Sequence, residues 1–228
     1  MAGGAAIPDV EQAIPYKEEI LYSYEVGFKK TFAEGRGRFN GNFFYYDYND
    51  YQAFLFTGVS GIVVNADAEY YGADFELQFT PLPGLLTQIS GSWIDATVKD
   101  VPLRIGGPIV RDVEPTYTPK FQFSGLVRYE WEAFGGTMSI LGDAAWSDSF
   151  FYNLRNFDAD QFDSYFLANA RLGWTTEDET LEVALQVRNL TDARAGTQGF
   201  DLATLCGCNE ISFRAPRWFG FNIKYNFN

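Results

Sequence analysis

Tyr71-Gly72-Ala73-Asp74-Phe75-Glu76-Leu77-Gln78-Phe79 puts an apolar or aromatic residue at every odd position and a polar residue or glycine at every even one. Successive side chains of a β-strand point to opposite faces, so the stretch reads as a strand with one apolar and one polar face. The same two-residue period recurs in both directions. Upstream it appears at Ile20, Tyr22, Tyr24, Val26 and Phe28, and again at Phe39, Gly41, Phe43 and Tyr45. Downstream it returns near 85–93, 121–131, 138–146, 166–174, 181–188 and 219–227, ending on Phe219, Phe221, Ile223, Tyr225 and Phe227. Helical periodicity is hardly seen, and nine strands are expected.

Their connections alternate between two kinds. Ala33 to Gly37, Thr80 to Gly84, Ala133 to Gly136 and Thr176 to Glu179 have the length of ordinary hairpin turns. The connections near 48–66, 97–118, 152–163 and 192–216 are long and hold Pro, Gly and charges. Short turns at one end and long loops at the other describe an up-and-down antiparallel sheet whose ends face different compartments. An apolar face ending in Tyr, Trp or Phe suits lipid with interfacial aromatic girdles, and Asn, Gln, Ser, Arg, Glu and Asp on the other face suit a wet lumen. The expected fold is therefore all-β, a transmembrane antiparallel up-and-down β-barrel. Bacterial single-chain barrels mostly have even strand counts, and an unpaired edge in hydrocarbon costs several kcal/mol per group. Nine strands thus predict an incomplete sheet from the C-terminal end of a larger barrel, with 1–18 an extracellular loop segment and 19–228 barrel.

Composition narrows the function. Aromatics make up 18% of the 228 residues, His is absent, and 17 Lys plus Arg face 30 Asp plus Glu for a net charge of −13. Without His there is no Ser-His-Asp or Cys-His catalysis, and the commonest transition-metal ligand is missing. No carboxylate pair, nucleophile with base, or phosphate-cradling glycine loop stands out, so neither an enzyme nor a cofactor is expected. Nor is nucleic acid expected, because phosphate binding needs clustered Lys and Arg. No run of 18 apolar residues is present. Met-Ala-Gly-Gly-Ala-Ala lacks the features of a signal peptide, which leaves a cytosolic chain or a missing front as the expectations.

Several segments together resemble the barrel of TonB-dependent outer-membrane receptors. They are Glu18-Glu19 with Ser23-Tyr24-Glu25-Val26-Gly27-Phe28-Lys29, then Phe43 to Tyr48 with Gln52, and Asn65-Ala66 with Gly72 to Leu77. Near the end come Asn169 to Trp174, Arg188-Asn189-Leu190-Thr191-Asp192 and Ala215 to Gly220. The sequence departs from the pattern at Asp74, where the family has Glu, and at Asn228, which follows the aromatic Phe227. The resemblance implies a multi-pass barrel in a Gram-negative outer membrane that takes part in energy-coupled uptake of a bulky nutrient, such as a siderophore-iron complex or a carbohydrate. It implies as partners the outer-membrane lipid, an N-terminal plug domain, TonB acting through that plug, and the barrel assembly machinery reading the final strand. Plug, TonB-binding segment and signal peptide are not in this sequence. The alternatives are a passive porin-like or adhesin barrel and a water-soluble carbohydrate-active enzyme with two carboxylates.

Candidate sites lie in the long connections. Residues 146–163 concentrate Trp146, Phe150, Phe151, Tyr152, Arg155, Phe157, Asp158 and Asp160. Such a mixture suits stacking on a sugar or aromatic chelator and bonding its edges, and Trp146, Phe151, Tyr152, Arg155 and Asp158 are the expected ligand contacts. Interfacial anchoring of the barrel is the alternative for these aromatics. Cys206 and Cys208, one residue apart, close a small disulfide or stand as free thiols, with a soft-metal contact as a third reading. No metal site is expected. Segments 1–19 and 47–69 are acidic and point to a negative mouth or simply to solvated loops. Arg128, Glu130, Arg171, Glu182 and Arg188 are expected in the lumen.

Overall fold

A computed structural model describes residues 16–56, 61–103 and 108–227. The strands are β1 (Ile20–Phe32), β2 (Gly37–Phe56), β3 (Gly61–Phe79), β4 (Leu85–Pro102), β5 (Val110–Val113), β6 (Phe121–Glu132) and β7 (Gly136–Ser147). They continue with β8 (Phe150–Phe151), β9 (Gln161–Phe162), β10 (Tyr165–Thr176), β11 (Leu181–Arg188), β12 (Gly196–Leu202), β13 (Cys208–Phe213) and β14 (Trp218–Tyr225). One helical turn, α1 (Ala203–Cys206), joins β12 to β13. The main sheet runs β1-β2-β3-β4-β6-β7-β10-β11-β14, antiparallel throughout, with β5 added alongside β4. These nine path strands are those the alternation predicts, in chain order. The sheet is unclosed: β1 and β14 are its edges and have no second strand partner among the described residues.

Register explains why the apolar face is continuous. Phe28 lies opposite Gly41, Gly41 opposite Phe75, Phe75 opposite Gly91, Gly91 opposite Phe123, and Trp146 between Phe123 and Phe166. Large rings need room on a pleated face, and Gly91 supplies it: a Cβ there would stand 2.6 Å from the Phe75 ring and 2.7 Å from that of Phe123. Four residues nearer the long-loop end, Tyr24, Tyr45 and Tyr71 face one another across three strands, with Tyr24 and Tyr45 ring centres 6.3 Å apart. At the short-turn end Phe32 stacks on Phe79 and Tyr129 on Trp131. Aromatic rows therefore bracket an apolar band, as interfacial girdles do. Most of these side chains are exposed, including Val26, Phe43, Ile89, Phe123, Ile140 and Leu185.

The other face forms a trough of about 870 Å³ lined by polar side chains such as Asp74, Glu76, Gln88, Ser90, Gln122 and Asp143. Partners meet across strands: Ser90 and Ser124 hydroxyls at 2.7 Å, Asn40 Nδ2 donating to Glu76 at 3.2 Å, and Asn169 Nδ2 donating to Asp143 at 2.6 Å. Arg171 pairs with Glu182, Arg128 with Glu130 at 3.6 Å, and Arg188 with Asp143 at 4.0 Å. The charges expected in the lumen thus share the polar face and neutralise one another.

The long connections differ from the sequence reading. Residues 48–66 and 97–118 are not simple loops, because β2, β3 and β4 run well past the tyrosine row and β5 joins them. In this extension the alternation changes phase. Below the row the odd positions of β3 are apolar, whereas above it Ile62, Val64, Ala66, Ala68 and Tyr70 are apolar and Asn65, Asp67 and Glu69 polar. Ala53, Leu55, Ala68, Val98, Val101 and Val113 form a buried core on the face that is polar lower down. Water now lies on the opposite side, so the apolar set has moved to the inner face.

Candidate functional site

The outer end of the molecule is built from three connections folded together. Residues 152–157 cross the inner face of the extension, where Leu154 enters the core with Val98, Val101 and Val113. Arg111 holds this crossing by donating to the carbonyls of Arg155 and Asn156, and Asn156 exchanges hydrogen bonds with Glu114, Oδ1 to N at 2.6 Å and Nδ2 to O at 3.0 Å. A second core gathers Phe150, Tyr152 and Phe162 with Ile211 of β13 packed against it. The β12–β13 arm lies on it: a Cβ at Gly199 would stand 2.5 Å from the Tyr152 ring, so only glycine allows that contact.

Polar groups fasten the arm. Arg155 of the crossing pairs with Asp201 of β12, both side chains being nearly out of solvent at 13% and 4% exposure. Asn209 Nδ2 on β13 lies 2.7 Å from Tyr152 Oη, 2.7 Å from the Ala159 carbonyl and 3.1 Å from Asp160 Oδ1. The Tyr152 hydroxyl donates to Ala159 O at 2.8 Å, and its burial pushes the phenol up to about 12. Cys206 and Cys208 are bonded to each other at the tip, across Gly207 at φ +67°.

The five expected ligand contacts do not form one surface. Trp146 sits on the apolar face of β7, stacked on Phe123 at 5.9 Å. Tyr152 and Arg155 are engaged inside the cap that the 148–163 connection forms with the β12–β13 arm, and Phe151 is half-buried on β8. Asp158 is exposed beside Phe157, whose ring lies between the guanidinium groups of Arg155 at 5.1 Å and Arg111 at 5.7 Å. The sequence alone does not mark Arg111, Asp201 or Asn209. Their partners lie 44 to 57 residues away, and no local pattern marks such pairs.

The acidic segments are partly neutralised. Lys17 Nζ pairs with Asp50 at 2.8 Å, which raises the lysine pKa, and Lys99 pairs with Glu69 at 2.9 Å. Asn65 accepts from the Lys17 amide at 2.8 Å and donates to Asp50 O at 2.7 Å, while Gln52 N donates to Glu19 at 2.9 Å. Residues 1–15, with Asp9 and Glu11, and the terminal Asn228 lie outside the described residues.

An open antiparallel sheet with an apolar girdled face, a polar trough and folded outer connections defines a segment of an outer-membrane β-barrel. The chain belongs to the TonB-dependent receptor-like β-barrel family, whose model matches residues 4–190. This is a family of outer-membrane receptors and transporters, not of enzymes. Among solved structures, the ferric yersiniabactin uptake receptor FyuA of Yersinia pestis is 18% identical, with 92% of this chain covering 30% of that one at a TM-score of 0.76. The siderophore receptor PiuA of Acinetobacter baumannii is 14% identical, with 90% of this chain covering 28% of that one at 0.70. The ferric-catecholate import receptor Fiu of E. coli K12 is 17% identical, with 93% covering 28% at 0.68. Such identities speak for the fold, and the chain spans less than a third of each of these proteins.

Proposed function

We propose that this chain is the closing nine-strand portion of a TonB-dependent receptor that takes up a bulky nutrient of the siderophore-iron class, with energy supplied through TonB. The observation that supports this most is the unclosed sheet, which matches part of a ferric yersiniabactin uptake receptor, a ferric-catecholate import receptor and a siderophore receptor while presenting two strand edges without partners among the described residues. In this reading strands preceding β1 complete the barrel, a plug domain covers the polar trough, and lipid bathes the apolar face. The barrel assembly machinery reads β14. The wall contributes no chemistry; it holds the outer connections over the mouth and keeps the trough wet.

For ligand contact we favour the exposed edge of the crossing. Phe157 offers a ring already polarised by two guanidinium groups, and Asp158 a free carboxylate beside it. Tyr152 and Arg155 would serve that surface by holding its backbone in place, whereas Trp146 would pack on the lipid face against Phe123. The two cysteines would stiffen the tip of the arm.

Uptake of radiolabelled ferric siderophores by iron-starved cells, with and without the gene, tests the reading. Loss of uptake on deletion, and its abolition by a protonophore, is expected. Solute entry that is lost on deletion but indifferent to the protonophore would instead identify a passive porin-like barrel.

A further inference from the structure

The cap contains a buried titratable group that neither the wall nor the proposed ligand surface uses. Asp160 ends a 3₁₀ turn over Asp158–Asp160 and is 1% exposed. Its Oδ1 accepts from Asn209 of β13 at 3.1 Å, and its Oδ2 has no hydrogen-bond partner among the described residues. The charged and titratable groups facing it are Arg155 and Tyr152 from its own connection, with β13 presenting the neutral Asn209 and β12 reaching it only through the Asp201 partner of Arg155. Arg155 is already paired with Asp201. With both carboxylates ionised the buried junction carries one uncompensated negative charge, a costly state in a poorly solvated site.

We propose that Asp160 is a proton-operated latch between the 148–163 connection and the β12–β13 arm, fastening the arm when the carboxyl is neutral and loosening it when the carboxyl ionises. Geometry makes the arm the element that yields. It is tied to the connection through Asn209, the Arg155–Asp201 pair and the Tyr152–Gly199 contact, and one member of each tie, Asn209, Arg155 and Tyr152, acts directly on Asp160.

Burial raises the pKa of Asp160 above the ordinary carboxylate value of 3.8, against the opposing pull of Arg155 and of the hydrogen bond from Asn209. A group whose folded pKa is raised binds its proton more tightly in the closed state. Its stabilisation is therefore complete below the ordinary carboxylate range and is lost as pH rises through the raised value. Each unit of displacement changes the open-to-closed ratio about tenfold.

The test is hydrogen exchange of backbone amides in 148–163 and 196–213 of the full membrane protein, from about pH 4 to about pH 8, corrected for the intrinsic pH dependence of exchange. Amides of β10 and β11 in the wall serve as the internal reference. Wild type is expected to lose protection in the two cap segments as pH rises, with the wall unchanged. Asp160→Asn, neutral at every pH, is expected to hold the cap closed throughout, and Asp158→Asn to follow the wild type. Cap protection in the wild type that does not change with pH overturns the latch, whether or not Asp160→Asn folds. So does an Asp160→Asn protein with the wild-type profile.

Discussion

The wall and the outer extension are made from the same strands, yet they bury opposite faces. Along β3 the odd residues Tyr71 to Phe79 carry the apolar set at membrane height, and the even residues Ile62 to Tyr70 carry it above. A two-residue period fixes only that a strand has two unlike faces; the surrounding medium decides which face the apolar residues occupy. In the wall, hydrocarbon lies outside and water inside. In the extension water lies outside, and Ala68, Val98 and Val113 pack inward as in a soluble protein. The phase change at Tyr70 and Tyr71 therefore marks the outer membrane boundary, which coincides with the row Tyr24, Tyr45 and Tyr71.

The comparison can be broken hardest in the cap. Arg155→Met leaves Asp201 buried without its partner, at a cost of about 3–5 kcal/mol to the cap. Loss of hydrogen-exchange protection confined to 148–163 and 196–213, with the wall amides intact, is the expected outcome. Unfolding of the wall as well would show that cap and wall are one cooperative unit.

Within the wall, adjacent positions separate the two faces. Phe123→Arg places a cation on the lipid face near mid-height and is expected to destabilise by about 2–4 kcal/mol, whereas Ser124→Arg, pointing into the wet trough, is nearly neutral. Urea unfolding of the two variants in lipid vesicles checks this. Equal costs would deny that the faces meet different media.

The smallest effect belongs to Lys17→Met. Its ammonium is largely exposed and its pair with Asp50 is a surface one, so the melting temperature is expected to stay unchanged. A clear drop would mean that residues 17–19 hold the extension together more firmly than their hydrogen bonds to Gln52 and Asn65 suggest.

The nine strands and their order were legible because each carries its own alternation, a signal that needs no distant partner. The extension was not read, although its pattern is equally regular in 61–70, because a reversed phase interrupts the run and resembles the end of a strand. The cap was less legible still. Tyr152 and Asn209 are 57 residues apart, and nothing local distinguishes a tyrosine that will be buried beneath an arm from one that will face a ligand. The aromatic density of 146–163 was a real signal, and burial in the second core accounts for Phe150, Tyr152 and Phe162.

Spin labels placed singly at successive positions from Ile62 to Gln78, after Cys206 and Cys208 are changed to serine, test the phase reversal most directly. Collision with lipid-soluble oxygen should peak at odd positions from Tyr71 onward, and collision with a water-soluble nickel complex at odd positions below Tyr70, with the even positions there shielded from both. Oxygen maxima that continued on the odd positions without a break up to Val63 would contradict the account, for the extension would then share the wall's medium.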